Sequence, residues 1–151
     1  MKIQKILAGL LTGIILVVSS LSFADGSITQ TNVTSVGSIQ RIDLHWSSLT
    51  NKSTGSISWL NGELYRVTFV PGASTIANYD VTITDSTGFD ILAGLGANLA
   101  SNTVVTVAPG IALTDGSAAT NMNRVVLNDA LTVTVDNTGV GSGYLSLFLR
   151  K

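Results

Sequence analysis

Few side chains in this sequence have the type and spacing to do chemistry. Three carboxylates, Asp80, Asp85 and Asp90, fall within Asn78 to Leu99, which reads NYDVTITDSTGFDILAGLGANL. Carboxylates gathered on a loop could hold calcium, which takes several oxygen ligands. Their spacing does not match the EF-hand loop. Asp85 reads better as a turn cap and Asp90 as a solvated strand residue. His45, the single histidine, follows Asp43 on the same strand face. A triad would also need an activated Ser or Cys held by that ring, and the spacing singles out no serine. His45 therefore reads as an exposed strand residue.

Gly94-Leu95-Gly96-Ala97-Asn98 has the glycine content of a phosphate loop. It lacks the third glycine of a dinucleotide fingerprint, the lysine of a P-loop and a following helix. A tight corner using positive φ at Gly is the simpler reading. Trp46 and Trp59 could stack on a sugar if exposed. Both are in phase with Ile and Leu positions, which predicts core packing. Asn32-Val33-Thr34 and Asn51-Lys52-Ser53 match the glycosylation acceptor pattern. The sequence thus assigns no catalytic, cofactor-binding or metal-ligating residue, and it does not read as an enzyme.

Composition narrows the class further. The chain has 151 residues, no cysteine and only 11% charged residues, against 45% hydrophobic ones. A disulfide framework and a thiolate metal site are excluded. Disorder goes with high charge and few apolar residues, so this balance argues for a packed core. The net charge of −1 includes Lys2 and Lys5; without them six basic residues face nine acidic ones. No basic cluster exists to neutralise phosphates, which argues against nucleic-acid binding.

Those two lysines precede an uncharged apolar run from Ile6 to Val18, followed by serines and Ser22-Phe23-Ala24. A positive start, an apolar run and a small-x-small site describe a secretory signal with cleavage after Ala24. A retained membrane anchor is the rival, since Ile6 to Ala24 is near the lower limit for a span. Residues 1–24 are read as a hydrophobic signal helix, 25–37 as a flexible N-terminal arm or edge strand, and 38–151 as one β domain.

The elements that must position any site are strands. Ser38 to Trp46 sets Ile42, Leu44 and Trp46 against Arg41, Asp43 and His45. Ile57 and Trp59 line one face of the next strand. Asn61-Gly62 is the strongest short hairpin signal, and Glu63 to Val70 then sets Tyr65, Val67 and Phe69 on one face, ended by Pro71-Gly72. Tyr79, Val81 and Ile83 alternate into the Asp85-Ser86-Thr87-Gly88 turn. Thr103 to Val107 is short, Ile111 to Asn121 reads as a long loop, and Asn128-Asp129 turns Arg124 to Leu127 into Leu131 to Asp136. Tyr144 to Leu149 closes the chain, apolar on both faces, as a central strand or one that meets a partner. About eight short strands without a helical period predict an all-β, single-domain antiparallel β-sandwich, with a barrel as the alternative. Trp46, Trp59, Tyr65, Phe69, Tyr79 and Tyr144 are expected to point inward.

One order of motifs goes beyond turn and strand chemistry. Gly62-Glu63-Leu64 is followed by Val70-Pro71-Gly72, then Asn78-Tyr79-Asp80-Val81-Thr82, the Asp85 turn and the Gly94 to Asn98 corner. Asn123-Arg124-Val125-Val126, a Leu131-Thr132-Val133 hairpin and Leu147-Phe148-Leu149-Arg150 complete it. Over roughly Arg41 to Arg150, this order resembles a group of small β-rich structural proteins of tailed bacteriophages and prophages. The resemblance implies a virion-associated role, such as a capsid-surface or head-to-tail accessory domain, without catalytic residues. With the leader, the sequence points to a non-enzymatic structural or assembly protein, of phage virion type or an exported surface β-module. Its expected partners are proteins, as a homo-oligomer or larger assembly, with membrane contact only through an uncleaved N-terminus. An exported glycan- or partner-binding β-sandwich module is the alternative.

Overall fold

A computed structural model describes residues 25–75, 77–110 and 125–151. The expected leader over 1–24 and the expected loop from Ile111 to Asn121 lie outside the described residues. The described chain is all-β and contains no helix. Seven strands make one continuous sheet. They are β1 (Gly26–Val36), β2 (Ile39–Ser48), β3 (Ser53–Pro71), β4 (Asp80–Thr84), β5 (Val105–Val107), β6 (Val125–Asp136) and β7 (Gly141–Arg150). The order is β1-β2-β7-β3-β6-β4, with β5 paired to β3. All pairings are antiparallel except a short parallel contact of β1 with β3, at Gly26–Ser53 and Ser27–Thr54.

β2 follows the alternation of its sequence: Ile42, Leu44 and Trp46 are buried, and Arg41, Asp43 and His45 face out. β4 does the same with Val81 and Ile83, continued by Tyr79 just before it. One core gathers these residues with Leu64, Val67 and Phe69 of β3, Leu131, Val133 and Val135 of β6, and Leu145, Leu147 and Leu149 of β7. β7 is the central strand its two-sided apolar pattern suggested, flanked by β2 and β3.

Two expected hairpins are absent. Asn61-Gly62 is not a turn: β3 runs through it, pairing Asn61 with Asn128 and Gly62 with Leu127. Gly62 does sit at φ +141, but for a different reason. A Cβ there would stand 2.7 Å from the Arg150 carbonyl oxygen, so glycine lets the end of β7 approach. Asn128-Asp129 is likewise interior to β6, opposite Asn61 and Leu60.

Three of the six aromatic rings expected inside are elsewhere. Ile57 pairs with Leu131 and Leu60 with Asp129, so Ser58 and Trp59 together oppose Ala130. One extra residue of this kind is a β-bulge, and it inverts the facing of everything after it. Leu60 takes the inward place and Trp59 is 64% exposed. A second bulge, between Leu64 and Arg66, leaves Tyr65 only partly buried and restores Val67 and Phe69 to the core. Tyr144 is exposed because β7 turns Gly143, Leu145 and Leu147 inward.

Gly143 decides that choice of face. It pairs with Trp46, and a Cβ on it would lie 2.7 Å from the indole ring and 2.6 Å from the Val70 carbonyl oxygen. The Trp46 ring fills that space and tilts against Tyr79, with centroids 5.6 Å apart. Gly143→Ala should therefore cost roughly 1–3 kcal/mol in urea unfolding, on the scale of an overpacked core. Gly88→Asn, at φ +86 with open space around it, should cost under about 1 kcal/mol, because Asn tolerates that region.

The Tyr79 hydroxyl is buried without a hydrogen-bond partner. Burial pushes its pKa up from 10.0 to about 12. A folded-state pKa above the unfolded one gives stability that is complete below pH 10 and lost as pH rises toward 12. In Tyr79→Phe this alkaline loss should shrink, while stability at pH 7 should hold or rise, since an unsatisfied polar atom is removed. Thermal melts between pH 7 and 11.5 would measure both.

Candidate functional site

The carboxylates singled out by spacing do not converge. Asp85 caps its own turn: its Oδ1 accepts from Thr87 N–H at 2.9 Å, Thr87 Oγ1–H at 2.7 Å and Phe89 N–H at 3.0 Å. Asp90 fastens the next corner, accepting from Leu92 N–H at 3.0 Å and Gly94 N–H at 3.1 Å. Asp80 accepts from Asn98 N–H at 2.7 Å and from the Asn137 amide. Among the described residues, no three His, Asp or Glu side chains come together as a metal site would require.

The glycine corner also spends its donors internally. The N–H groups of Leu95 and Ala97 donate to the carbonyls of Leu92 and Gly94, at 3.0 and 3.1 Å. Gly94 sits at φ +81, the conformation expected of a corner glycine. The Gly96 carbonyl accepts from Val81 N–H at 2.8 Å, so the corner is docked against β4 rather than open to a phosphate.

His45 lies on the outer face beside Tyr144, with ring centroids 4.9 Å apart. Its neighbour Asp43 is engaged elsewhere. Asp43 Oδ1 accepts from Arg41 Nε at 2.7 Å and from Ser146 Oγ at 2.5 Å. This face carries a feature the sequence reading missed. Register sets Arg41, Phe148 and Arg66 side by side across β2, β7 and β3. The Arg66 guanidinium lies 3.7 Å from the Phe148 ring centroid and Arg41 lies 5.7 Å from it. Stacked guanidinium over an aromatic face is favourable and stiff. Strand alternation alone could not show it, because it needs the β2-β7-β3 order.

Trp59 has become a surface group. Its indole N–H donates to Asn128 Oδ1 at 3.0 Å, and Asn61 Nδ2 donates to the same oxygen at 3.5 Å. Asn128 also lines a groove of about 260 Å³ with Asp85, Phe89, Ile91, Leu127 and Asp129. Asp129 Oδ2 accepts from both the N–H and the hydroxyl of Ser86, at 3.0 and 2.5 Å. Phe89, on the far side of the Asp85 turn, is 48% exposed.

The other surface feature is the edge of β1. Residues 25–37, read as an arm or an edge strand, contain an 11-residue strand at the end of the sheet order. β1 pairs with β2 along its length but touches β3 only at Gly26 and Ser27. From Thr29 to Val36, no strand of the described residues pairs with the other edge. The segment has no charge and no proline, the usual edge protections. One bulge, at Thr31, is the single protective feature it does have.

The two glycosylation-type asparagines differ in setting. Asn32 is exposed on β1, its amide donating to Thr34 Oγ1 at 3.1 Å. Asn51 is a clamp: its carbonyl accepts from Thr138 N–H and its Oδ1 from Gly139 N–H, at 3.3 and 3.1 Å.

No family model matches the chain, and neither a curated protein nor a solved structure matches it.

The hydrogen bonds from Thr87 and Phe89 hold Asp85 below the usual carboxylate range, and those from Ser86 do the same for Asp129. A depressed folded-state pKa gives stability that is present above the ordinary value of 3.8 and is lost as pH falls through the folded one. Thermal melts from pH 7 to 2 should therefore drop most steeply below about pH 4. The double variant Asp85→Asn, Asp129→Asn should flatten that acid limb.

Proposed function

We propose that this chain is a non-enzymatic structural module that assembles with protein partners, first of all with further copies of itself. The observation that carries the reading is the long, uncharged edge of β1, which no strand of the described residues pairs. Unpaired strand edges recruit strands, and a chain that meant to stay monomeric would block this one with Lys or Pro. Two copies meeting edge to edge would bring no like charges together, since Gly26–Val36 holds none. Val33 and Val36 are 45% and 75% exposed, so side-chain contacts would add to the backbone pairing.

The finer architecture belongs to the same reading. The continuous sheet folds about β3 into two facing layers, a sandwich whose corner is the Trp59 bulge; strands that change layers do so through bulges. Export by the N-terminal leader and a place on a cell surface or virion follow from the sequence motifs. The likeness to small phage and prophage β-proteins supports the same role.

Sizing by light scattering across a concentration series tests the proposal. The purified protein should form dimers or larger species, and Val33→Lys with Ser35→Lys should return it to the monomer with an unchanged circular dichroism spectrum. A wild-type chain that stays monomeric up to about millimolar concentration would refute it, because functional self-association works below that range.

A further inference from the structure

We propose that Trp59, with Asn61, Asn128 and the Asp85–Asp129 groove, forms a binding site for a neutral sugar ring. The site goes beyond the assembly role and lies on β3, β6 and the Asp85 turn rather than on β1.

The bulge in β3 creates the site. A tryptophan in phase with Ile57 would normally be buried, and here one inserted residue places it outside at 64% exposure. Leaving a large ring in water forgoes the burial energy of the largest apolar side chain. The ring is also held in place. Its N–H is tied to Asn128 Oδ1, so the polar edge is satisfied and the apolar face is presented. A rigid, exposed aromatic face is a stacking surface for an apolar ligand face.

The chemistry around the ring selects the ligand. Asn128, an exposed residue, gives its oxygen to Trp59 and Asn61, and its NH2 is a donor group at the same place. In the adjoining groove, Asp85 and Asp129 are acceptors, ionised at neutral pH, with much of their capacity already taken by turn donors. Amide donors beside carboxylate acceptors match hydroxyl groups, each of which both donates and accepts. Among the described residues, those lining the groove include no cation. A phosphate, sulfate or sialic acid would therefore meet two negative charges, with no cation among the described lining residues to offset them. A cationic ligand would gain from the carboxylates and the ring, yet the Asn128 NH2 would turn a donor toward it. A pyranose presents an apolar C–H face to the ring and hydroxyls to the amide and carboxylates together.

The full chain can be titrated with soluble cello-, malto-, manno- and chito-oligosaccharides up to about 10 mM, the range of weak single-ring recognition. Trp46 is buried and Trp59 is exposed, so emission at long wavelength reports Trp59. At least one neutral oligosaccharide should shift that emission to the blue and shield it from acrylamide. Trp59→Ala should abolish calorimetric binding or weaken it roughly 10-fold or more, the scale of one aromatic stacking contact. Trp59→Tyr should restore part of it, and Asn128→Ala should weaken it with the fold intact. The proposal is overturned if no neutral oligosaccharide binds, if Trp59→Ala binds as tightly as wild type, or if tetramethylammonium binds in place of the sugars. Sizing of the same variants separates this result from the assembly proposal, because Trp59→Ala leaves the β1 edge untouched.

Discussion

β3 must hydrogen-bond to β1, β5, β6 and β7 within 19 residues, and the rest of the structure depends on how it does so. Its first half faces β6 and touches β1; its second half lies between β7 and β5. A straight interior strand keeps one neighbour along each edge, whereas β3 exchanges β1 for β7 and β6 for β5 partway along. Two single-residue bulges, at Trp59 and Tyr65, solve the problem by bending and twisting the strand. Each reverses side-chain facing, and the two together keep Ile57, Leu60, Leu64, Val67 and Phe69 in one core. The surface that results, with Trp59 outside and Arg66 stacked over Phe148, is a by-product of where the extra residues fall.

This is also why part of the molecule was legible in its sequence and part was not. β2 and β4 alternate without interruption, so period-2 reading placed Ile42, Leu44, Trp46, Val81 and Ile83 inside and Arg41, Asp43 and His45 outside. The Asp85 turn and the Gly94 corner were equally readable, because their chemistry is local. The all-β class followed from the same signals. Trp59 and Tyr65 were misplaced because parity was carried across bulges that no local signal announces. Asn61-Gly62 has the composition of a hairpin turn, yet its glycine answers a demand made by Arg150, far away in sequence. Tyr144 was assigned inward because a strand apolar on both faces offers no parity; the space Trp46 requires at Gly143 makes the choice. The open edge of β1 was half legible, since an uncharged Thr/Ser stretch fits an edge strand as well as an arm.

With so few charges, the protein uses most of its described aspartates as fasteners. Asp80, Asp85, Asp90 and Asp129 each accept hydrogen bonds from backbone N–H groups of turns or neighbouring chain. Charge-assisted bonds of this kind are stronger than neutral ones, and they bind loops that have little apolar surface to bury. Asn51 works similarly, tying the β2–β3 turn to the β6–β7 turn through Thr138 and Gly139. Spacing that suggests cation ligands and spacing that suggests turn locks are the same in a sequence. The geometry separates them: Asp85 and Asp90 each cap their own turn, while Asp80 and Asp129 reach across to the chain at Asn98 and Ser86.

The position of β7 has a bearing on the order in which the chain can take shape. β7, the last of the described strands, sits between the second and third, pairing with β2 over ten positions and with the far half of β3. Until Gly141–Arg150 is synthesised, β2 and that half of β3 have no common neighbour, and the Trp46 ring has no Gly143 to close over it. Closing such distant pairings is slow, since the chain must give up the entropy of long loops first. The three-stranded centre β2-β7-β3 is therefore a late and all-or-none event in folding, closed only when Gly141–Arg150 slots between two strands far from it in sequence.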